Sequence, residues 1–308
     1  MIKLARKIIR KNKFLYNIVC YVFKHTIYRN LFTDIYKSKE ITIFEKKFYY
    51  PKHSEDYEKL FSNFKNYTYN LQYVYKTLTN KFNFDNIDCI IDIGSNVGYL
   101  AAFYNFFFQK KIICFEPSSI NFYYLKKNLS EYKNIELNNF ALGSEDKNSF
   151  LSIPSFEQNR PGDLGLLTLK ENFQSKMFRE KISVKNFSDL KYFNQDGKNY
   201  YIKIDVEGYE LEVLNGMESF VEKNNCIFKI ELNKNYHDKN TFLKIKKYFM
   251  QKKYSPFIFD RKSKELRKVS FEDLAVMLET DIYDIVFVKE HHLKWIILKL
   301  INQKFDYI

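Results

Sequence analysis

Two carboxylates, Asp205 and Glu207, stand two residues apart at the end of the apolar run KIDVEG at 203–208. A run of this kind is typical of a buried strand that ends in a turn at glycine. Because neighbouring carboxylates raise each other's pKa, a pair of them can accept protons near neutral pH. The pattern predicts acid–base chemistry here, with Asp205 as base or as acceptor for a ligand amine. Glu207 is predicted to share this role or, alternatively, to accept hydrogen bonds from the first amides of the following helix.

Two more polar residues are associated with the next apolar run, CIFKIEL at 226–232. Glu231 lies near the end of that run and His237 follows it, so both are predicted to contact a substrate, and His237 is also a candidate catalytic base. A solvated surface histidine beside Asp238 is the alternative for His237. Magnesium prefers carboxylate oxygens, so Asp205 and Glu231 would suit a divalent cation, although their spacing in the sequence does not establish a metal site.

A glycine-containing turn lies earlier in the chain, in IIDIGSNVGYL at 90–100. Gly94 follows an apolar run and Gly98 opens the next helical pattern, so the backbone of this turn can approach a ligand closely. The dinucleotide fingerprint G-x-G-x-x-G would need glycines where this chain has Asn96 and Tyr99. A pyrophosphate-binding turn is therefore disfavoured, and with it a nicotinamide-dependent oxidoreductase.

Glu116 ends the following apolar run, 22 residues after Gly94. A carboxylate about 20 residues beyond such a turn typically binds the two hydroxyls of a ribose. The turn and Glu116 together predict a ligand that contains a nucleoside. Asp92, in the run before the turn, is predicted either to shape the turn or to contact the ligand directly.

Short apolar, β-branched runs alternate with longer amphipathic runs from residue 88 onward. This alternation predicts an α/β fold, with a mostly parallel sheet and helices on its faces. The predicted strands cover 89–94, 111–117, 135–142, 200–208, 226–232, 254–260 and 283–289, and the predicted helices cover 99–108, 119–129, 209–223, 241–251 and 271–278. The interval 143–199 does not continue this alternation, so we expect a substrate loop around NRPGDLGLL at 159–167. Arg160 in this loop is predicted to bind substrate.

The N-terminal part differs in charge from the rest of the chain. Eight basic residues and no acidic residue precede Asp34, and they account for most of the net charge of +13. The apolar residues of this stretch share one face of a helical wheel, which predicts a basic amphipathic helix that packs on the body or contacts anionic lipid through residues 1–30. We expect residues 1–85 to combine this helix with a helical cap, residues 86–290 to form the main domain, and residues 291–308 to form an amphipathic tail.

Cysteine usage and hydropathy bear on the cellular location. The four cysteines show no C-x-x-C spacing and three lie in apolar runs, which is typical of structural thiols in a reducing compartment. Neither a signal-peptide cleavage pattern nor an apolar run of about 18 residues is found. We therefore expect a cytoplasmic protein, associated with the inner membrane surface if the N-terminal helix binds lipid.

Five motifs follow one another in a set order: IDIGSNVGYL at 91–100, FEP at 115–117, NFALG at 139–143, KIDVEGYELEVLNG at 203–216 and IEL at 230–232. Over residues 88–232 this set resembles the FkbM-type methyltransferase family. The resemblance implies a class I methyltransferase fold, a Rossmann-like three-layer sandwich with a mostly parallel seven-stranded sheet and an antiparallel edge strand. It also implies S-adenosylmethionine as cofactor and O-methylation of a hydroxyl, typically on a sugar or a polyketide.

The same resemblance implies roles for individual residues. It implies a cofactor turn made of Gly94, Ser95, Asn96 and Gly98. Glu116 would be the ribose-binding acid, and the adenine ring would lie against Asn139, Ala141 and Leu142.

Two other classes remain open beside a methyltransferase of small molecules or glycans. A non-catalytic membrane-surface or scaffold protein that retains the fold would explain the basic N-terminal helix. A nucleic-acid methyltransferase would suit the pI of about 9.2, but no DNA- or RNA-binding module and no NPPY-like motif is found. We expect a sugar, glycan or small-molecule acceptor and no nucleic-acid partner.

Overall fold

The computed structural model describes residues 38–51, 61, 86–154, 177–190, 193, 196–234, 236–260, 265–278 and 282–289. The strands in these ranges are β1 (Ser38–Ile43), β2 (Lys46–Pro51), β3 (Cys89–Ile93), β4 (Lys111–Phe115), β5 (Ile135–Asn138), β6 (Ala141–Gly143), β7 (Lys147–Pro154), β8 (Met177–Asn186), β9 (Asn199–Ile204), β10 (Asn225–Asn233), β11 (Tyr254–Asp260), β12 (Glu265–Lys268) and β13 (Ile282–Lys289). The helices are α1 (Tyr99–Phe108), α2 (Ser119–Leu129), α3 (Glu210–Gly216), α4 (Glu218–Lys223), α5 (Lys239–Gln251) and α6 (Phe271–Leu278), with a short 3₁₀ turn at Phe187–Asp189.

The main sheet has eight strands in the order β12-β11-β13-β10-β9-β3-β4-β5. Strands β10, β9, β3, β4 and β5 run parallel to one another. Strand β13 runs antiparallel between β10 and β11, and β12 pairs antiparallel with β11 at the edge. The predicted α/β sandwich with a mostly parallel sheet and an antiparallel edge is confirmed, and β12 extends it beyond the seven strands expected.

Alternate side chains of the parallel strands enter two hydrophobic cores, one on each face of the sheet. Ile90 and Ile112 belong to the core formed with α1 and α2. Ile91 and Ile113 belong to the core formed with α3, α4, α5 and α6. Because strands covered on both faces are buried throughout, β3 and its neighbours appear in the sequence as almost continuous apolar runs.

The single helix predicted over 209–223 is divided into α3 and α4. Gly216 ends α3 where a Cβ atom would lie 2.0 Å from the backbone oxygen of Gly143, so the main chain of β6 passes directly against this turn. Met217 follows α3 and precedes α4. The division therefore accompanies a long-range contact, which no local sequence pattern reveals.

A β-hairpin of β1 and β2 occupies residues 38–51, where the sequence pattern predicts part of a helical cap. The prediction of helix is wrong for these residues. Phe44 and Glu45 turn the chain with φ values of 50° and 63°, and Phe48 and Tyr50 are buried in the core formed with α1 and α2. Burial of these alternate residues against the body stabilises the strand conformation.

Other parts of the predicted terminal regions lie outside the described residues. These are the amphipathic helix at 1–30, the helical cap at 52–85 apart from the buried Phe61, and the tail at 291–308. The domain boundaries therefore stay predictions. No helix in the described part of the chain is long and apolar enough to cross a membrane.

The interval 143–199 contributes to a second, small sheet with the order β6-β8-β7. The strand predicted over 135–142 divides in two. Its first part is β5, which ends at Asn138 in the main sheet, whereas Ala141–Gly143 pairs with β8 in the small sheet. A turn between these parts carries the chain away from the main sheet and close to the end of β4.

Strand β8 connects the small sheet to helix α2. Glu180 on β8 accepts a hydrogen bond through Oε1 from the backbone amide of Ser119, at 2.8 Å. The loop that follows β7, at 155–176, lies outside the described residues. It includes Arg160, whose predicted substrate contact therefore stays a prediction.

Candidate active site

The carboxyl ends of four neighbouring strands, β10, β9, β3 and β4, carry most of the predicted site residues. The chain leaves β3 toward β4 and β5 and later returns to β9 on the other side of β3. Open α/β sheets bind ligands at such a reversal, beyond the carboxyl ends of the strands. Gly94, Glu116, Asp205 and Glu231 all lie at or next to these ends, so the topology gathers residues that are distant in the sequence.

The turn after β3 is held by hydrogen bonds to its own strand and to β4. The amides of Gly94 and Ser95 donate to the Phe115 carbonyl at 2.9 and 3.0 Å. Ser95 Oγ donates to the Asp92 carbonyl at 2.7 Å and accepts from the Phe115 amide at 3.2 Å. Gly94 has a φ of 78°, and a Cβ atom there would lie 1.9 Å from the backbone oxygen of Asp205. Glycine is therefore required where this turn crosses the end of β9.

The second half of the turn leads into α1. Asn96 and Gly98 adopt left-handed φ values of 53° and 90°. Gly98 precedes the first residue of α1 and has no side chain to cap the helix, and a Cβ atom there would lie 2.7 Å from Leu125 Cδ1. The amides of the first helical turn consequently offer a place for an anionic group, such as the carboxylate of an amino-acid moiety.

Glu116 follows β4 and is buried, with 5% of its surface exposed. Its Oε2 accepts from the Asn96 amide at 2.8 Å, and its Oε1 accepts from the Ser118 amide at 2.9 Å. Burial raises the pKa of Glu116 to about 7, and the two hydrogen bonds limit this rise because they favour the charged form. The carboxylate joins the glycine turn to the start of α2 and has lone pairs left for hydroxyl donors.

The predicted adenine edge lies beside Glu116. Asn139 donates through Nδ2 to the backbone oxygens of Glu116 and Pro117, at 2.9 and 3.2 Å. Leu142 is packed in the core, and Ala141 is buried as well. Asn139 and the partly exposed side chain of Phe140, which sequence reasoning did not single out, therefore provide the surface of this stretch that a ligand can contact.

Three carboxylates, those of Asp205, Glu207 and Glu231, lie together at the ends of β9 and β10. One oxygen of each lies within 4.8 Å of the other two. Burial, and then the charges of Asp205 and Glu231, raise the pKa of Glu207 to about 9. Burial, and then the charges of Asp205 and Asp284, raise the pKa of Glu231 to about 8. The cluster favours the binding of protons or of a hard divalent cation between its oxygens. Within the described part of the chain, these three residues form the group that could hold such an ion.

Glu210 accepts hydrogen bonds from the turn that precedes α3, and the alternative that Glu207 accepts from the first amides of that helix stays a prediction. The buried Oε1 of Glu210 accepts from the backbone amides of Val206 and Gly208, at 3.0 and 3.3 Å. Glu207 itself has a left-handed φ of 54°, which is costly for a residue with a side chain. The Glu210 hydrogen bonds help to hold this turn, and with it the Glu207 carboxylate, beside Asp205.

His237 lies behind Glu210. Its Nε2 lies 2.5 Å from Glu210 Oε2, and its Nδ1 lies 3.0 Å from the backbone oxygen and 3.2 Å from the backbone nitrogen of Asn233. The imidazole tautomer decides whether Nδ1 donates to the Asn233 carbonyl or accepts from the Asn233 amide, and whether Nε2 donates to Glu210. His237 is buried, so the solvated alternative is wrong. The structure connects it to the turn after β9 through Glu210, and a catalytic role for it stays a prediction.

Lys203 is another residue of the site that the sequence analysis does not single out. Its Nζ donates to the Gly94 carbonyl at 2.6 Å and lies 3.3 Å from an Asp92 carboxylate oxygen and 3.4 Å from an Asp205 carboxylate oxygen. Burial alone would lower the pKa of Lys203, but the charges of Asp205 and Asp92 outweigh burial and raise it. Asp92 is fully buried and pairs with Lys203, so the structure favours the shaping of the turn over direct ligand contact for Asp92.

One sequence signal for Lys203 exists, namely a charged residue inside an apolar strand. Asp92 on β3 is a second such residue, and the two are partners in the register of the sheet. Because the pairing of β3 with β9 joins segments 111 residues apart, the sequence does not show that these opposite charges meet.

The strand order, the glycine turn after β3 and the acid after β4 define a class I, Rossmann-like methyltransferase fold. A family model described as the methyltransferase FkbM domain matches residues 92–256, which is more than half of the chain. The protein therefore belongs to the methyltransferase FkbM family, a family of S-adenosylmethionine-dependent methyltransferases. The resemblance and the fold class predicted from the motifs are thereby confirmed.

Among solved structures, the chain is similar to the methyltransferase FkbM from Methylobacillus flagellatus, with 16% identity, a TM-score of 0.41 and coverage of 66% of this chain and 44% of that one. It thus spans less than half the length of that relative. It is also similar to the N-terminal domain of human METTL16 in complex with SAH (12% identity, TM-score 0.38, coverage 71% and 69%) and to M. jannaschii TYW2 in complex with AdoMet (8% identity, TM-score 0.39, coverage 81% and 84%). These likenesses are distant and carry no argument about function. No curated protein matches the chain.

Proposed function

We propose that this protein transfers the methyl group of S-adenosylmethionine to a hydroxyl group of a sugar, a glycan or a similar metabolite. One observation carries the proposal. The carboxylates of Asp205, Glu207 and Glu231 face one another at the strand ends, directly beside the Gly94 turn. Carboxylates in this position suit the removal of a proton from a hydroxyl, which is the step that O-methylation needs.

The residues around the glycine turn fit S-adenosylmethionine. The first amides of α1 and the glycine backbone suit the carboxylate of its amino-acid part. Glu116 suits the ribose hydroxyls because a buried carboxylate forms strong hydrogen bonds to paired donors. Asn139 and Phe140 suit the adenine ring. When bound, S-adenosylmethionine supplies a methyl group that its positively charged sulfur activates.

Asp205 is the proposed proton acceptor. Its side chain is about one-third exposed, so an acceptor molecule can reach it, and its backbone lies against Gly94. Glu207 and Glu231 are proposed to accept hydrogen bonds from the substrate and so to aim one hydroxyl. Arg160 is proposed to contribute from the loop after β7. Holding the nucleophile in line with the methyl group provides much of the acceleration in such a transfer.

A divalent cation is a proposed second component. Asp205, Glu207 and Glu231 would hold it, since oxygen ligands of this number and charge suit Mg²⁺. A bound cation would act as a Lewis acid and favour loss of a proton from an acceptor hydroxyl.

The cellular setting is proposed from the thiols. Cys89, Cys114 and Cys226 are free and buried, and burial raises the pKa of Cys89 and Cys226 to about 12. Such inert thiols suit a reducing cytoplasm.

Residues 1–30 are proposed to contact the inner membrane surface, and a variant without them should bind anionic liposomes more weakly than the full chain.

The experiment starts with binding of S-adenosylhomocysteine to the full chain, measured by calorimetry. Incubation with methyl-labelled S-adenosylmethionine and extracts of the source cell then identifies the acceptor. Asp205→Ala should lower turnover about 100-fold or more, with the S-adenosylhomocysteine dissociation constant within about tenfold of the wild type. The control is Asp273→Ala, at an exposed position on α6.

Two results would overturn the proposal. Wild-type protein that binds neither S-adenosylhomocysteine nor S-adenosylmethionine would favour the scaffold alternative. Turnover of Asp205→Ala at the wild-type rate would remove Asp205 from the reaction.

A further inference from the structure

Lys203 contacts both halves of the site, the cofactor turn through Gly94 and the acceptor side through Asp205. Building on the proposed function, we propose that Lys203 is a positioning residue that couples the glycine turn to Asp205. It holds the bound cofactor and the proton acceptor in one fixed geometry, without touching either substrate.

Stability alone does not explain the buried charges. Lys203 and Asp92 are 3% and 0% exposed, and within the described residues the Asp92 carboxylate oxygens accept no hydrogen bond. Removal of two charges from water opposes folding by as much as their attraction favours it, so apolar residues of the same volume would stabilise the sheet at least as well. The directional contacts of the ammonium group, rather than its burial, are what an apolar residue could not supply.

The Nζ atom of Lys203 contacts both the glycine turn and Asp205. Lys203 Nζ donates to the carbonyl of Gly94, the residue at which the turn begins. The same atom lies 3.4 Å from an Asp205 carboxylate oxygen and draws this side chain toward the turn. The Asp205 amide adds a backbone hydrogen bond to the Ile93 carbonyl at 3.1 Å. The position of the turn therefore sets the position of the Asp205 carboxylate.

Lys229 provides a matched control within the same sheet. It is the register partner of Lys203 on the adjacent strand β10 and is also buried. Its Nζ donates to Asp284 Oδ1 on β13 at 2.7 Å, on the side away from the glycine turn. Lys229→Met thus removes a buried lysine and leaves the contacts of the turn in place.

The test compares the S-adenosylhomocysteine affinity of a double variant that keeps the net charge with that of one of its single variants. Lys203→Met alone leaves Asp92 buried without its cation, so it is combined with Asp92→Asn and compared with Asp92→Asn alone. We expect the double variant to fold, as judged by a cooperative melting curve, and to bind S-adenosylhomocysteine about tenfold more weakly than Asp92→Asn, within the range typical of coupled sites. Lys229→Met should stay within about twofold of the wild type.

A second comparison tests the coupling itself. With Lys203 present, Asp205→Asn should change the S-adenosylhomocysteine dissociation constant by about fivefold, since the ammonium loses one partner and the turn shifts. In the Lys203→Met, Asp92→Asn background the same substitution should change it by less than about twofold. A merely structural lysine would give equal changes in both backgrounds.

Each outcome has a distinct meaning. Equal effects of Asp205→Asn in the two backgrounds, or unchanged affinity in the double variant, would overturn the role of Lys203 while the proposed methyltransferase function stands. Failure of the wild type to bind S-adenosylhomocysteine would instead overturn the proposed function.

Discussion

The cofactor side and the acceptor side of the site both contain carboxylates with raised pKa values, but their partners differ. Glu116 receives hydrogen bonds from two backbone amides, and its pKa rises only to about 7. Glu207 and Glu231 face other carboxylates, and their pKa values rise to about 9 and about 8. Glu116 is the most buried of these three carboxylates, yet its pKa rises least, because amide donors favour a charged carboxylate and neighbouring negative charges oppose it.

The difference indicates that the two regions accommodate their ligands in different ways. The cofactor side is rigid, since the backbone places the turn, Glu116 and Asn139 through hydrogen bonds within the fold. On the acceptor side, the charged carboxylates repel one another, and bound protons, a cation or a substrate would reduce this repulsion. The first region should therefore respond to steric changes, and the second should respond to pH and to divalent ions.

The rigidity of the cofactor side is tested most severely at Gly94. Gly94→Ala should destabilise the fold by about 3 kcal/mol or more, because the new Cβ atom would lie 1.9 Å from a backbone oxygen at a left-handed φ. S-adenosylhomocysteine binding should be lost. The control is Gly197→Ala, at a φ of 74° with open space around it, which should cost only about 1–2 kcal/mol. Urea unfolding and calorimetry measure both effects, and equal costs at the two positions would contradict the close approach.

The role of backbone amides on the cofactor side is tested at Glu116. Glu116→Gln removes the negative charge that the Asn96 and Ser118 amides bind, so the affinity for S-adenosylhomocysteine should fall about 100-fold, or roughly 2.7 kcal/mol. Glu131→Gln, at an exposed position after α2, should leave the affinity unchanged. Calorimetry at one pH and salt concentration measures both. Affinity within a few-fold of the wild type would exclude Glu116 as the ribose-binding acid.

The adaptable character of the acceptor side is tested with Mg²⁺. Binding should strengthen between pH 7 and pH 9, because the cation competes with the protons that Glu231 and Glu207 hold below pKa values of about 8 and about 9. Glu231→Gln should weaken binding about tenfold, as expected for the loss of one charged ligand. Glu272→Gln, at an exposed position on α6, is the control. A titration of wild-type protein without a binding signal at pH 9 would count against the cation site.

The smallest expected effect is a change of thermal stability at Glu207. The pKa of Glu207 in the folded protein, about 9, lies above its usual value of 4.5. Between these values the folded state keeps a proton that the unfolded state has released, so the contribution of Glu207 to stability falls as pH rises and is lost above pH 9. The melting temperature of Glu207→Gln should therefore exceed that of the wild type, and the difference should grow from pH 6 to pH 9. Each kcal/mol of stability gained corresponds to about 2–4 °C. The measurement contains EDTA, and exposed Glu222→Gln should show no such trend.

Much of the fold follows from local pattern. Buried parallel strands require nearly continuous apolar runs, so the sequence predicts β3, β4 and β10 within one or two residues of their ends, whereas β9 ends at Ile204, four residues before its predicted end. The hairpin at 38–51 and the division of 209–223 into two helices were not predicted. Both depend on contacts with distant parts of the chain, namely the packing of Phe48 and Tyr50 on the body and the approach of Gly216 to Gly143.

The sequence by itself determined the family and the chemical types of the site residues, because the glycine turn, Glu116 and the KIDVEG motif are local patterns with local causes. Only the tertiary structure decided which charges meet. In the structure, Lys203 lies between Asp92 and Asp205, and three carboxylates meet at one edge of the sheet. Glu210 accepts hydrogen bonds from the turn amides, and buried His237 contacts Glu210. These contacts depend on strand order and register, which bring together segments far apart in the chain, and no spacing along the sequence encodes such distances directly.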